Sequence, residues 1–76
     1  MSKSILEDNE NKAEIKKLKL DSARRKIQKQ IETMGGYSHN IVGLVLMNVA
    51  DEFGKDEANK LIDEMNITAI FGINKE

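Results

Sequence analysis

The feature that most constrains the fold is a single densely apolar run, Ile41–Phe53, which reads I-V-G-L-V-L-M-N-V-A-D-E-F. Two glycines stand shortly before this run, and Gly54 follows it directly. On a helix most of its apolar side chains cover one broad arc, whereas Leu44 and Met47 fall on the opposite side, beside Gly43. A helix that is apolar on two sides is normally packed on two sides. The run therefore predicts the buried central helix of a small bundle.

The length of the chain limits the core that this helix can organise. The 76 residues allow one domain, and a domain of this size buries only about 60% of the surface of its unfolded chain. Cysteine is absent, so neither disulfides nor thiolate metal sites can add stability. Association with other copies is the remaining source of stability. We therefore predict a homo-oligomer.

The segment before the central helix predicts a long basic helix over residues 12–34, which contain no glycine or proline. An apolar stripe recurs along it every seven residues, as in a weak coiled coil, and comprises Leu6, Ala13, Leu20, Ile27 and Met34. Ile15 and Leu18 lie off this stripe, so we expect them to contact another surface. Residues 1–11 are polar and unpatterned, and they predict a flexible N-terminus ahead of a single helical domain, residues 12–76.

Glycines and small polar residues predict the ends of the helices. Gly35-Gly36 is expected to end the first helix, because glycine tolerates the left-handed conformation of a helix cap. Ser38 or Asn40 is expected to cap the central helix, and Asp56 the third.

Beyond Gly54 the sequence predicts an amphipathic third helix, whose apolar residues follow the i, i+3, i+4, i+7 pattern: Ala58, Leu61, Ile62 and Met65. The tail is apolar as well, and we expect a short turn from Thr68 to Gly72 to fold Ile70 and Phe71 onto the helices. The predicted fold is thus all-α: a small three-helix bundle with an apolar C-terminal tail packed back onto it.

Charge is distributed unevenly, with eight basic residues in the first helix and six acidic ones in residues 51–64. The basic residues are Lys12, Lys16, Lys17, Lys19, Arg24, Arg25, Lys26 and Lys29. A helix this basic can bind phosphates or an acidic protein surface. Its positive charges wrap several sides, and no aromatic residue interleaves for base stacking. We favour the acidic protein surface, with nucleic acid as the alternative.

Catalytic, metal and cofactor sites are not predicted. The single His39 and the single Tyr37 share one turn, without a second metal ligand or a nucleophile beside them. Residues 49–65 have the spacing of a helix-turn-helix, but acidic residues on the second helix would repel DNA, so a plain helical hairpin is expected. An enzyme would need an active site formed by residues of several subunits around Tyr37 and His39. We rank this function third.

The favoured function is therefore that of a small cytoplasmic interaction or regulatory protein that forms homo-oligomers and binds another protein. The N-terminus lacks the regions of a signal peptide, and the apolar run is about half the length of a membrane span. The residues predicted to form the oligomer or partner interface are Ile15, Leu18, Gly43, Leu44 and Met47.

Overall fold

The computed structural model describes residues 2–76, with side chains described from Lys12 onward. This part of the chain forms four helices and no strand: α1 (Ser2–Thr33), α2 (Ser38–Phe53), α3 (Lys55–Glu64) and α4 (Ile67–Phe71). The predicted fold class, an all-α small bundle, is confirmed. The prediction of a flexible N-terminus concerns residues 1–11, which lie outside the described side chains. None of the described helices has the length and apolar character needed to cross a membrane.

The core lies where α1, α2 and α3 meet, and α4 closes one end of it. Its buried apolar residues come from all four helices: Leu20, Ala23, Ile27, Val42, Leu46, Val49, Ala58, Leu61, Ile62 and Ile67. Ile27, Val42, Leu61 and Ile67 are the largest fully buried side chains. The amphipathic pattern predicted for the third helix is confirmed, because its apolar residues all face this core.

The length of α1 exceeds that of its neighbours. At 1.5 Å per residue, its 32 residues span about 48 Å, close to the 50 Å long axis of the molecule. The 16 residues of α2 span only about 24 Å. Among the described side chains of α1, residues 12–19 are exposed and the core residues begin at Leu20. In the seven-residue stripe Leu20 and Ile27 are buried, Ala13 and Met34 are exposed, and Leu6 lies outside the described side chains.

The connection between α1 and α2 corrects two predictions. The left-handed residue after α1 is Met34, with φ of 47°, and neither Gly35 nor Gly36 adopts a positive φ. Ser38 does not cap α2. It is buried, and its hydroxyl donates a hydrogen bond of 2.9 Å to Oε1 of Gln30 in α1. The hydroxyl of Ser38 therefore links α1 to α2 and does not cap the first turn of α2.

Gly54 alone connects α2 to α3. Its φ of 100° and ψ of 160° lie in a region that only glycine enters readily, so the predicted stop at this residue is confirmed. Asp56 was expected to cap the third helix, but that helix already begins at Lys55 and receives no side-chain cap. Asn66 adopts a left-handed conformation between α3 and α4.

The tail folds back, as predicted, through Phe71, whereas Ile70 is only half-buried and is not among the residues packed against the core. α4 is a short helix that ends at Phe71 and is capped by Gly72, which is left-handed with φ of 73°. Ile67 is fully buried, whereas Phe71 and Ile73 are half-buried against the core. The Oγ1 of Thr68 donates a 2.6 Å hydrogen bond to the carbonyl of Ile73. This bond joins α4 to the segment after it, and two hydrogen bonds between the side chain of Asn59 and the backbone of Glu76 hold that segment against α3.

Candidate interaction surfaces

The outward side of α2 carries large apolar side chains that no described part of the chain covers. Tyr37 is 76% exposed, Leu44 59% and Met47 60%, and Ile41 is exposed as well. The opposite side of the same helix faces the core through Val42, Leu46 and Val49. We call the outward residues the α2 face: Tyr37, Asn40, Ile41, Leu44, Met47 and Asn48.

Charge is absent from the α2 face. Between Glu32 and Asp51 the sequence contains no Asp, Glu, Lys or Arg. The cost of removing water from a surface depends mainly on its charged and polar groups. The α2 face can therefore be covered at low cost.

The second apolar side of the central helix was predicted from Leu44 and Met47, and both residues do lie opposite the core. Gly43, predicted to mark a close helix contact, makes none with the part of the chain that the structure describes: a Cβ placed there meets no described atom within 4 Å. Sequence reasoning placed Ile41 in the buried arc and Tyr37 in a turn. The spacing i, i+4, i+7 of residues 37, 41 and 44 is the signal that could have assigned both to the α2 face.

Shallow grooves flank α2 on both sides. The groove toward α1 has a volume of about 610 Å³ and is lined by Lys19, Lys26 and Asn48 among others. The groove toward α3 and the tail, about 450 Å³, is lined by Met47 and Ile73 among others. Both open to solvent along the helix, so they extend the α2 face rather than enclose a ligand.

A second exposed apolar pair lies on α1. Ile15 and Leu18 are separated by three residues and therefore share one side of the helix. Leu18 is 59% exposed, the same fraction as Leu44. Three exposed basic residues, Arg25, Lys26 and Lys29, continue the outward side of α1 toward its C-terminal end. We call these five residues the α1 surface.

Three of the eight basic residues between positions 12 and 29 form ion pairs with the acidic segment of the same chain. Lys19 pairs with Glu52, and the Nζ of Lys16 lies 3.8 Å from Oε2 of Glu57. That Nζ also lies 5.8 Å from the centroid of the Phe53 ring, within the range of a cation–π contact. The basic and acidic segments of the sequence therefore face each other inside one molecule.

Arg24 makes the third of these pairs, and the pairing raises the pKa of its guanidinium group. Its guanidinium contacts Glu64 at 2.6 Å and Asp21 at 2.8 Å. The hydrogen bond to Glu64 is the largest of the effects that raise the pKa of Arg24. The charge of Arg24 is thus directed inward, toward acidic residues of α1 and α3.

Glu57 occupies a sheltered position at the start of α3, with 17% of its side chain exposed. Lys60 donates a hydrogen bond of 3.1 Å to its carboxylate. This bond, together with the charge of Lys16, lowers the pKa of Glu57.

The remaining basic residues point to solvent. Lys12 and Lys17 are exposed, as are Arg25, Lys26 and Lys29. Among the side chains that the structure describes, the last three have no acidic partner within 4.0 Å. The charge available to an external partner is therefore concentrated on the α1 surface.

Tyr37 and His39, the residues considered for a shared catalytic site, are both exposed at the start of α2. Within residues 12–76, no three His, Asp or Glu side chains converge to hold a metal ion. No protein-family model matches this chain, and no curated protein or solved structure was found to be similar to it.

Proposed function

We propose that this chain is a small, cytoplasmic, non-enzymatic interaction protein with a regulatory role, which forms homo-oligomers and binds a protein partner. The observation that carries the proposal is the α2 face, where Leu44 and Met47 stand exposed on an uncharged stretch of helix. Contiguous exposed apolar residues mark interaction sites on soluble proteins. Covering them stabilises a complex by about 25 cal/mol per Å² of apolar surface removed from water.

Two separate surfaces support two kinds of contact. The α2 face is neutral, which suits contact with another copy of the chain. The α1 surface combines the apolar pair Ile15 and Leu18 with exposed basic residues. Basic residues beside an apolar pair favour an acidic protein partner, because complementary charge guides association and apolar contact holds the complex.

Nucleic acid remains the second candidate, since Arg25, Lys26 and Lys29 are exposed without an acidic partner among the described side chains. Two observations weigh against it. Lys16, Lys19 and Arg24 are already compensated by acidic residues of the same chain. The nearby acidic residues of α3 would also repel phosphates.

The partner-binding part of the proposal is tested with purified proteins. A partner captured from the cells that produce this chain would be purified and titrated against three proteins by calorimetry. These are the wild type, the Ile15→Glu/Leu18→Glu variant and the Leu44→Glu variant. We expect the first variant to lose at least about tenfold in affinity, which corresponds to about 1.4 kcal/mol. Leu44→Glu is the matched control, because Leu44 and Leu18 are equally exposed.

The rival function is tested by titrating duplex DNA and RNA at several salt concentrations. Phosphate contacts give a slope of about −0.9 per contact in a plot of log affinity against log salt. We expect feeble binding at moderate salt. Submicromolar binding near physiological salt that is lost in an Arg24→Ala/Arg25→Ala/Lys26→Ala variant would overturn the proposal in favour of nucleic acid.

A further inference from the structure

The chemistry of the α2 face is arranged symmetrically about Leu44. Counting outward from this residue, Ile41 and Met47 stand three positions away on either side. Asn40 and Asn48 stand four positions away. Apolar residues are thus matched with apolar residues, and one amide is matched with another. A sequence that reads alike in both directions from one residue can pack against a copy of itself running the opposite way.

The pattern continues one helical turn past the α2 face to the charged residue Asp51. Tyr37 and Asp51 stand seven positions from Leu44 on either side, and both are exposed, so the two ends of the extended stripe are complementary. The carbonyl of Tyr37 accepts a 3.0 Å hydrogen bond from the amide of Ile41, so helical spacing reaches back to Tyr37. At 100° per residue, the seven residues from 37 to 51 that carry this pattern occupy an arc of about 120°. They form one continuous stripe along α2.

We propose that the α2 face is the interface of an antiparallel homodimer whose two-fold axis passes beside Leu44. This inference rests on the proposed function, because it takes the α2 face as the surface through which the chain oligomerises. In this arrangement Leu44 packs against Leu44 of the partner subunit. The hydroxyl of Tyr37 donates a hydrogen bond to Asp51 of the partner subunit. A two-fold interface of this kind uses the same patch on both subunits.

The antiparallel orientation is favoured over the parallel one by charge. A parallel pair in register would bring the two Asp51 carboxylates together, and like charges repel. An antiparallel pair separates them along the interface by about 21 Å, the length of 14 residues of helix. It also sets the two helix dipoles against each other in the favourable sense.

The size of the interface sets its expected strength. One helix face of about 15 residues forms a contact at the small end of specific interfaces. We therefore expect dissociation in the micromolar range. The groove between α2 and α3 adjoins Met47 and can accept the edge of the second helix.

The first experiment measures molar mass by sedimentation equilibrium from about 1 to 200 µM, the range that brackets a micromolar dissociation constant. We expect the wild type to reach twice its 8.6 kDa mass and Leu44→Glu to remain a monomer. Leu18→Glu, which places the same charge on an equally exposed leucine outside the face, should still dimerise. Circular dichroism establishes that both variants remain helical.

The second experiment determines orientation. The chain contains no cysteine, so single cysteines can be joined cleanly by a short bis-maleimide. We expect Leu44→Cys to cross-link with itself, and Tyr37→Cys and Asp51→Cys to do so only when the two variants are mixed. Intact mass identifies the mixed product.

Each outcome decides between named alternatives. Self-cross-linking of Tyr37→Cys alone would indicate a parallel pair, overturning the inference but leaving oligomerisation intact. Dissociation by Leu18→Glu instead of Leu44→Glu would move the oligomer surface to α1. A wild type that stays monomeric across the whole range overturns the dimer. Partner binding through the α1 surface would not be affected by that result, because the calorimetric titration of the Ile15→Glu/Leu18→Glu variant tests it separately.

Discussion

Arg24 of α1 and Glu64 at the end of α3 form a two-bond ion pair across 40 positions of the sequence. The Nε atom of Arg24 lies 2.6 Å from Oε2 of Glu64, and its Nη2 atom lies 3.2 Å from Oε1. A guanidinium that binds both oxygens of a carboxylate fixes the relative orientation of the two groups. This pair therefore sets the position of the far end of α3 against α1.

Removing this pair should have a small effect on stability. Both side chains are more than one-third exposed, so we expect Arg24→Ala to lower the free energy of unfolding by about 1 kcal/mol or less, and less again at high salt. Urea denaturation of a double-mutant cycle with Glu64→Ala measures the coupling. Arg25→Ala is the matched control and should change stability by less than about 0.5 kcal/mol. If Arg24→Ala and Arg25→Ala lowered the free energy of unfolding equally, the Arg24–Glu64 ion pair would have no specific stabilising role.

The lowered pKa of Glu57 predicts a stabilising effect that depends on pH. A carboxyl group whose pKa is lower in the folded state than in the unfolded chain stabilises the fold above the unfolded pKa, about 4.3 for Glu. That stabilisation is lost as pH falls through the folded value. We expect the melting temperature of the wild type to exceed that of Glu57→Gln at neutral pH, and the two to converge only once the pH falls below the lowered folded-state pKa of Glu57.

The control for this experiment is Glu14→Gln, at an exposed position in α1. Its melting temperature should follow that of the wild type at every pH. A difference between wild type and Glu57→Gln that persists unchanged into the acidic range would show that the contacts of Glu57 with Lys16 and Lys60 do not act through its charge.

The tail should be anchored mainly by Ile67. This residue is fully buried, and truncating a buried isoleucine to alanine costs about 2–5 kcal/mol. Phe71 is only half-buried, so Phe71→Ala should cost less than the roughly 3–5 kcal/mol typical of a core phenylalanine. Urea denaturation compares the two, with the exposed Ala69→Ser as control. If Phe71→Ala lowered the free energy of unfolding more than Ile67→Ala, Phe71 and not Ile67 would be the main anchor of the tail.

Gly43→Ala should act in opposite directions on the monomer and the dimer. A glycine within a helix costs about 1 kcal/mol relative to alanine, and the space around Gly43 is open in the single chain. In the monomeric Leu44→Glu background the substitution should therefore raise the melting temperature. If Gly43 marks a close contact between subunits, as the sequence predicts, the added methyl group should also weaken association of the otherwise wild-type protein.

Gly54→Ala provides the contrast. The positive φ of Gly54 is unfavourable for alanine, so this substitution should lower the melting temperature in both backgrounds. A rise at Gly54, or a fall at Gly43 in the monomer, would contradict the backbone geometry described for the two residues.

The parts of the fold that sequence could predict are those governed by local pattern. The period of Ala58, Leu61 and Ile62 identifies α3 because the spacing itself determines which side is apolar. The stop at Gly54 follows from a conformation that other residues avoid. Ser38 could not be placed, because its burial depends on Gln30 approaching from another helix, and a hydroxyl serves equally well as a helix cap.

The extent of the buried stripe on α1 was also beyond prediction from α1 alone. Ala13 and Met34 continue the seven-residue repeat, yet both are exposed: Ala13 lies in the part of α1 before Leu20, the first residue of α1 in the core, and Met34 stands outside α1 in a left-handed conformation. Similarly, eight basic residues gave no indication of which would be compensated within the chain. Which basic residues form ion pairs depends on where Glu52, Glu57 and Glu64 lie once the helices are packed.

The exposed position of Tyr37 also gives the protein a built-in optical signal. It is the only tyrosine, and tryptophan is absent, so all of the intrinsic fluorescence excited near 280 nm reports on one end of the α2 face. Collisional quenching by acrylamide should be strong in a dilute sample, where the ring is 76% exposed. It should weaken with rising concentration in the wild type and stay constant in Leu44→Glu, so the occupancy of the α2 face can be followed without attaching a dye.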